Sequence, residues 1–236
     1  MNALLNVKEL CIGFKKPLLE PFSFDLFSGE IIALMGENGS GKSTLLKTFA
    51  GLVQPIGGMV FIENRILSDW SVRERARRMA MVRMSGETPD RMSVREFVSL
   101  GRSPYSGILD GRTIEDEKII DEALTLLDVR EFSNRPVAEL SDGERSRVYL
   151  AEAVAQQVNV LLLDEPNAFL DIPRSHALFR TLQTLAKNRS MGIIVSTHSV
   201  EYAEKYCDRI MVIDKDKLLV ASAKDARKQG LLDWAI

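Results

Sequence analysis

Cysteine is nearly absent: Cys11 and Cys207 are the only two in 236 residues. Two isolated cysteines in a chain this long make no disulfide framework, and a reducing, cytoplasmic setting is expected. Long apolar runs are missing as well. No stretch approaches the roughly 20 apolar residues that cross a bilayer as a helix. Action at a membrane would then require another chain to supply the spanning part. The stretch Met1–Lys8 has neither a basic start nor a long apolar region, so no signal peptide is expected. An excess of one charge is lacking too. Lys and Arg number 31 against 33 Asp and Glu, a net charge of −2. That balance gives no basic face for a nucleic-acid partner, beyond local patches. Fixed-period repeats, low-complexity tracts and linkers are not found. The length suits one domain, or one domain with a subdomain, able to bury roughly three-quarters of its unfolded surface.

What the chain does have is Gly36-Glu37-Asn38-Gly39-Ser40-Gly41-Lys42-Ser43-Thr44. The apolar run Ile31–Met35 precedes it, and the helical pattern Leu45–Ala50 follows, closing on Gly51. A glycine-rich segment between a buried strand and a helix is the context in which G-x-x-x-x-G-K-[ST] reads as a phosphate-binding loop. Glycines let the loop wrap so that successive N–H groups face one concavity. The helix starting near Gly41 adds unpaired amides and the positive end of its dipole. Lys42 brings a point charge to the β- and γ-phosphates, and Ser43 offers a hydroxyl to Mg²⁺.

Around this centre strands and helices alternate. Leu4–Leu10 and Phe22–Phe27 read as strands, then Met59–Ile62 and Met79–Val82. Ser71–Arg78 reads as a short basic helix with Arg77 and Arg78 on a solvated face. Residues 85–90 form a loop, and Ser93-Val94-Arg95-Glu96 is a capping box opening a helix that stops by Gly101. Ile114–Leu127 and Gly143–Gln157 have helical spacing, so the middle third is mostly helical. Val160–Leu163, a helix over Pro173–Lys187, strand Ile193–Ser196, helix Val200–Tyr206 and strands Ile210–Ile213 and Leu218–Ala221 complete an open α/β sheet.

Val160-Leu161-Leu162-Leu163-Asp164-Glu165-Pro166 is a buried strand ending in two carboxylates. Ligands of open α/β sheets lie beyond the carboxyl ends of strands. Asp164 is therefore placed to hold Mg²⁺, and Glu165 to polarise a water in line with a γ-phosphate. His198, in Ser196-Thr197-His198-Ser199, ends a neighbouring strand and would share that edge. His176 lacks such a context and reads as surface or packing. Leu140-Ser141-Asp142-Gly143-Glu144 begins a helix; on its own it reads as a plain cap, with Gly143 permitting close backbone approach to an anion.

Together GENGSGKST, LSDGE, LLLDEP, NAFLD and STHS resemble the nucleotide-binding subunit of the ABC transporter superfamily over nearly the whole length. The resemblance implies an α/β, P-loop NTPase core of ABC ATPase type with an antiparallel β subdomain and an inserted helical subdomain. Residues 1–83 and 159–236 would form the nucleotide-binding core, and 84–158 the helical insert. It implies ATP and Mg²⁺ as ligands and a head-to-tail homodimer with ATP sandwiched between chains. Ser141, Asp142, Gly143 and Glu144 would then face the γ-phosphate bound by the other chain, and Asp171 would be an inter-protomer contact. Phe14 matches the aromatic that stacks on adenine, core packing being the alternative.

Two departures stand out. The family places a metal-contacting glutamine after the strand Met79–Val82, where this chain has Met84. A thioether is a poor ligand for a hard cation, so a ligand is lost or borrowed from water or Glu87. Asp142 stands where the family more often has glycine, adding negative charge near phosphate. Met92–Tyr105, with Gly101-Arg102-Ser103-Pro104-Tyr105, resembles the matching segment of importers of iron–siderophore, haem and cobalamin. That implies integral-membrane permease subunits, an external solute-binding protein and a peripheral position on the cytoplasmic face of the cell membrane. A soluble, non-transport ABC ATPase and a nucleotide-switched dimerisation module with weak hydrolysis remain as alternatives.

Overall fold

A computed structural model describes residues 3–84, 90–107 and 111–233. Two sheets organise it. Strands β1 (Ala3–Cys11), β2 (Phe22–Phe27), β4 (Gly57–Ile62) and β5 (Arg65–Ile66) form an antiparallel sheet in the order β2-β1-β4-β5. The larger sheet uses β3 (Ile31–Gly36), β6 (Met79–Arg83), β7 (Val160–Asp164), β8 (Gly192–Ser196), β9 (Arg209–Asp214) and β10 (Lys217–Ser222), ordered β10-β9-β3-β8-β7-β6. Its strands run parallel from β9 to β6, and β10 closes one edge antiparallel.

β3, β7 and β8 are buried at every position, as expected of parallel strands covered on both faces. Their side chains alternate between two cores, following the period of a strand. Ile31, Ala33, Met35, Leu161, Leu163, Ile193 and Val195 enter one core with the helices α4 (Ile114–Leu126), α5 (Asp142–Ala155) and α6 (Ile172–Arg189). Ile32, Leu34, Val160, Leu162 and Ile194 enter the other, with the antiparallel sheet and α1 (Lys42–Phe49). The mixed α/β architecture with an antiparallel sheet and a helical region is therefore present. α3 (Val94–Ser99), α4 and α5 fall between β6 and β7 in the chain.

Most expected elements lie within two residues of their observed ends. α5 begins one residue earlier, at Asp142, because Ser141 caps it with a capping box, and Gln157 at φ 55° ends the turn beyond it. α6 runs on to Arg189, where left-handed Ser190 stops it. α7 (Val200–Tyr206) has the expected bounds. The two-residue β5 and four-residue α8 (Ala223–Ala226) were not expected. One expectation is corrected. The helix α2 spans only Val72–Ala76, and Arg77 and Arg78 are half-buried rather than solvated. Arg78 pairs with Glu63 at 3.0 Å and stacks on Trp70, while Arg77 donates to the Pro104 carbonyl at 2.9 Å and stacks on Tyr105. Arginine planes on aromatic faces are favourable where the stem is desolvated.

Candidate functional site

The loop between β3 and α1 is shaped by its glycines. Gly36 has φ +146° and lies against its neighbours: a Cβ there would come 2.8 Å from the Ile213 carbonyl. Gly41, at φ 104°, occupies the N-cap position of α1 and has no side chain to cap with. The first-turn amides of α1 are thus left for an anion. Glu37, Asn38 and Gly39 are exposed, while Thr44 sits half-buried in the first turn of α1. The buried Lys42 folds back, its Nζ donating to the carbonyls of Gly36 at 2.9 Å and Glu37 at 3.0 Å. Burial pushes the Lys42 ammonium pKa down, and the carboxylates of Glu165 and Asp164 oppose that. Ser40 Oγ is buried without a hydrogen-bond partner. An orphaned hydroxyl facing such a loop suits a phosphate oxygen.

From this loop a hydrogen-bonded chain runs along the ends of the parallel strands. Ser43 Oγ donates to Asp164 Oδ1 at 3.1 Å. Ser196 Oγ donates to the same oxygen at 3.1 Å and accepts the Glu165 amide at 2.7 Å. That bond accompanies a left-handed conformation at Glu165, φ 50°, uncommon for a residue with a Cβ. Its Oε1 lies 3.0 Å from His198 Nε2. Glu165 and His198, with Asn167 and Thr197, line an open cleft of about 440 Å³. Three separated stretches of chain thus bring Lys42 and Ser43, Asp164 and Glu165, and His198 to one edge. Ser196 was not singled out from sequence; its signal was a hydroxyl at the end of the strand next to β3, opposite Leu34.

The remaining candidates stand apart from this cluster. Phe14 is 74 % exposed, which excludes the core-packing alternative. Ser141, Gly143 and Glu144 line a different cleft, of about 300 Å³, between α5 and α6. Ser141 is engaged in its own capping box: its amide and hydroxyl donate to Glu144 Oε2 at 2.8 and 2.7 Å. These bonds hold the Glu144 carboxyl below its usual range. Asp142 pairs with Arg145. Asp171 caps α6, accepting the Arg174 amide at 2.8 Å. His176 packs as expected, with Nδ1 2.8 Å from the Tyr206 hydroxyl and its ring edge-on to Tyr202.

Met84 directly follows β6 and is half-buried against the core, lining a small pocket with Tyr149, Phe169 and Leu170. Its thioether is packed as an apolar group. Glu87, the substitute ligand, lies outside the described residues. The oxygen pair Ser43 Oγ and Asp164 Oδ1, by contrast, fits a hard divalent cation such as Mg²⁺. In the Gly101–Tyr105 segment Gly101 and Arg102 are buried while Ser103 is exposed. Arg102 is buried, donating to Asp116 at 2.8 Å, the Ala155 carbonyl at 2.7 Å and Gln157 at 2.9 Å.

Against protein-family models, residues 19–168 match the family described as ABC transporter. The chain is 36% identical over 218 residues to the hemin import ATP-binding protein HmuV of Streptomyces coelicolor, covering 92% of this chain and 77% of that one. It is 31% identical over 225 residues to the petrobactin import ATP-binding protein FpuD of Bacillus anthracis, covering 95% and 82%. The solved structure of cbiO1 from Clostridium perfringens, described as part of the ABC transporter complex cbiONQ, superposes with a TM-score of 0.85 at 26% identity, covering 98% and 96%.

Proposed function

The chain belongs to the ABC transporter family of ATP-binding ATPases, and from that membership we propose that it energises uptake of an iron chelate (siderophore or haem) or cobalamin. The importer class is supported by the relatives named for hemin and petrobactin import and by the Met92–Tyr105 segment. In this reading integral-membrane permease subunits carry the cargo, an external solute-binding protein delivers it, and the chain sits peripherally on the cytoplasmic face of the cell membrane. No helix among the described residues is long and apolar enough to cross a membrane.

The hydrolytic reading is carried by one observation, the bonded chain Ser43–Asp164–Ser196–Glu165 with His198 at its end. Phe14 stacks on adenine, and the amides from Gly36 to Thr44 cradle the phosphates, with Glu37, Asn38 and Gly39 at the open side. Lys42 exchanges its two carbonyl acceptors for β- and γ-phosphate oxygens. Ser43 and Asp164 hold Mg²⁺, whose charge offsets that of the phosphates. Glu165 takes the proton of a water as its oxygen bonds to the γ-phosphorus and the bond to the β-bridging oxygen breaks. His198 holds Glu165 and the γ-phosphate in line. The exposed Ser141 and Asp142 of a second copy, with the half-buried Gly143 and Glu144, close over that phosphate, and Asp171 contacts the partner chain.

Two variants separate binding from hydrolysis. Lys42→Ala should lose nucleotide binding and turnover together, and unchanged activity would refute the site. Glu165→Gln should keep ATP binding, lose roughly 10²–10⁴-fold in turnover, and sediment as an ATP-dependent dimer. Co-purification of a polytopic membrane chain tests the importer; its absence points to a soluble ABC ATPase. The apolar packing of Met84 favours a second reading, a nucleotide-switched dimerisation module. Equal, near-zero turnover of wild type and Glu165→Gln would select it.

A further inference from the structure

Arg174 joins two stretches that face the partner chain in the composite-site reading. It lies in the first turn of α6, and its stem rests on Gly143 near the start of α5. A Cβ at residue 143 would come 2.8 Å from Arg174 Cδ and 3.1 Å from its Nε. Residue 143 lies within a regular helix and has no left-handed φ, so backbone strain does not call for glycine there. A Cβ there would instead displace the flexible Arg174 stem from its seat. From the other side Asp171 holds the same residue twice. Its Oδ1 accepts the Arg174 amide at 2.8 Å, and its Oδ2 lies 3.7 Å from the guanidinium Nε. The two neighbouring arginines are committed elsewhere, Arg145 to Asp142 and Arg147 to Asp128 at 2.9 Å. Arg174 is half-exposed at the rim of the cleft that Ser141 and Gly143 line.

We propose that Arg174 is a positioning residue that ties the turn Ser141–Gly143 to Asp171, so that a second copy meets the two as one rigid unit. The inference rests on the composite-site reading. Its physical basis is entropic. Two exposed stretches on separate helices would each have to be ordered when the chains close, whereas a shared strut orders them before the encounter. The guanidinium also adds positive charge, beside Asp171, to the cleft that Glu144 and Arg147 line.

The test uses the full chain carrying Glu165→Gln, with ATP and Mg²⁺, and reads the monomer–dimer constant by sedimentation. Arg174→Gln and Asp171→Asn are compared singly and together; asparagine still caps a helix start, so α6 is kept. Each single change should raise the dimer dissociation constant about tenfold, and the double should be no worse than either, as residues acting as one unit require. Arg174→Lys, which keeps stem and charge, should recover part of the loss, and ATP binding by the monomer should not change. Dimerisation of Arg174→Gln at the background level, losses that multiply in the double, or a fall in monomer ATP binding would each overturn the proposal. A background that never dimerises would overturn the composite site itself and this inference with it.

Discussion

Along the ends of β3, β7 and β8 the site groups are buried or bonded to one another, whereas at the start of α5 they are exposed and bonded to their own helix. Lys42, Asp164 and Ser196 are buried; Asp164 and Ser196 bond across strands and Lys42 bonds to carbonyls of its own loop, while Ser40 Oγ has no partner. Ser141 and Asp142 are exposed, and their partners lie within three residues. A buried polar group must be satisfied before a partner arrives, because leaving it unpaired costs the desolvation of that group. An exposed one can wait in water. In the proposed composite site, one chain therefore pre-organises the phosphate and carboxylate half alone, and the other half is a surface for a second copy.

The exposed half still needs a rigid mount, and the largest expected effect tests it. Arg102 and Asp116 form a buried pair that ties the first turn of α4 to the C-terminal end of α5, the helix that Ser141 caps. Arg102→Ala leaves the carboxylate buried and unpaired, and should cost about 3–5 kcal/mol in denaturant unfolding. Arg102→Lys cannot reproduce a fork that reaches Asp116, Ala155 and Gln157 together. The pH dependence adds a sign. The Thr113 cap and the Arg102 guanidinium lower the Asp116 pKa from 3.8 to about 2. A carboxyl lowered on folding contributes stability that is present above its unfolded pKa and lost as pH falls toward the folded one. Acid unfolding of wild type should therefore include a loss between about pH 4 and pH 2, and that contribution should be smaller in Arg102→Ala, which keeps only the Thr113 bonds. An unchanged unfolding midpoint would show that the mount does not depend on this pair.

Ser196→Ala probes the built half with a smaller change. It deprives the Glu165 amide of its acceptor and Asp164 of one donor. The expected cost is about 1–3 kcal/mol, divided between stability and turnover, with kcat lowered roughly tenfold and KM little changed. If kcat holds and KM rises instead, Ser196 serves nucleotide binding rather than the placement of Glu165.

The same divide explains what could be read from the residues alone. The phosphate loop was legible because its function demands backbone geometry, and glycine spacing after an apolar run records that demand directly. Asp164 and Glu165 were legible because they end an apolar run long enough to be a buried strand. Ser196 was not, since a serine at a strand end reads equally as a cap, and only the pairing of β8 beside β3 turns its hydroxyl onto Asp164. Arg102 was passed over as part of a motif, because burial of an arginine depends on an aspartate 14 residues away being turned inward by its own helix cap. Arg77 and Arg78 misled for a related reason: charge implies solvent until aromatic rings such as Tyr105 and Trp70 cover the stems.

Phe14 gives the smallest expected effect and the sharpest test of the divide. Its ring is three-quarters exposed, so removing it should shift unfolding stability by no more than about 0.5 kcal/mol. Base–aromatic stacking is worth about 1–3 kcal/mol per base where it has been measured, so ATP affinity in Phe14→Ala should fall roughly five- to hundredfold. Phe14→Trp, with a larger face, should bind at least as well as wild type. Titration of ATP against each variant, alongside denaturant unfolding, separates the two quantities. A loss confined to affinity places Phe14 with Ser141 and Asp171, among groups that stand exposed until a ligand or a second chain covers them. A loss confined to stability would place it with Lys42 and Ser196 instead, and adenine would need another platform.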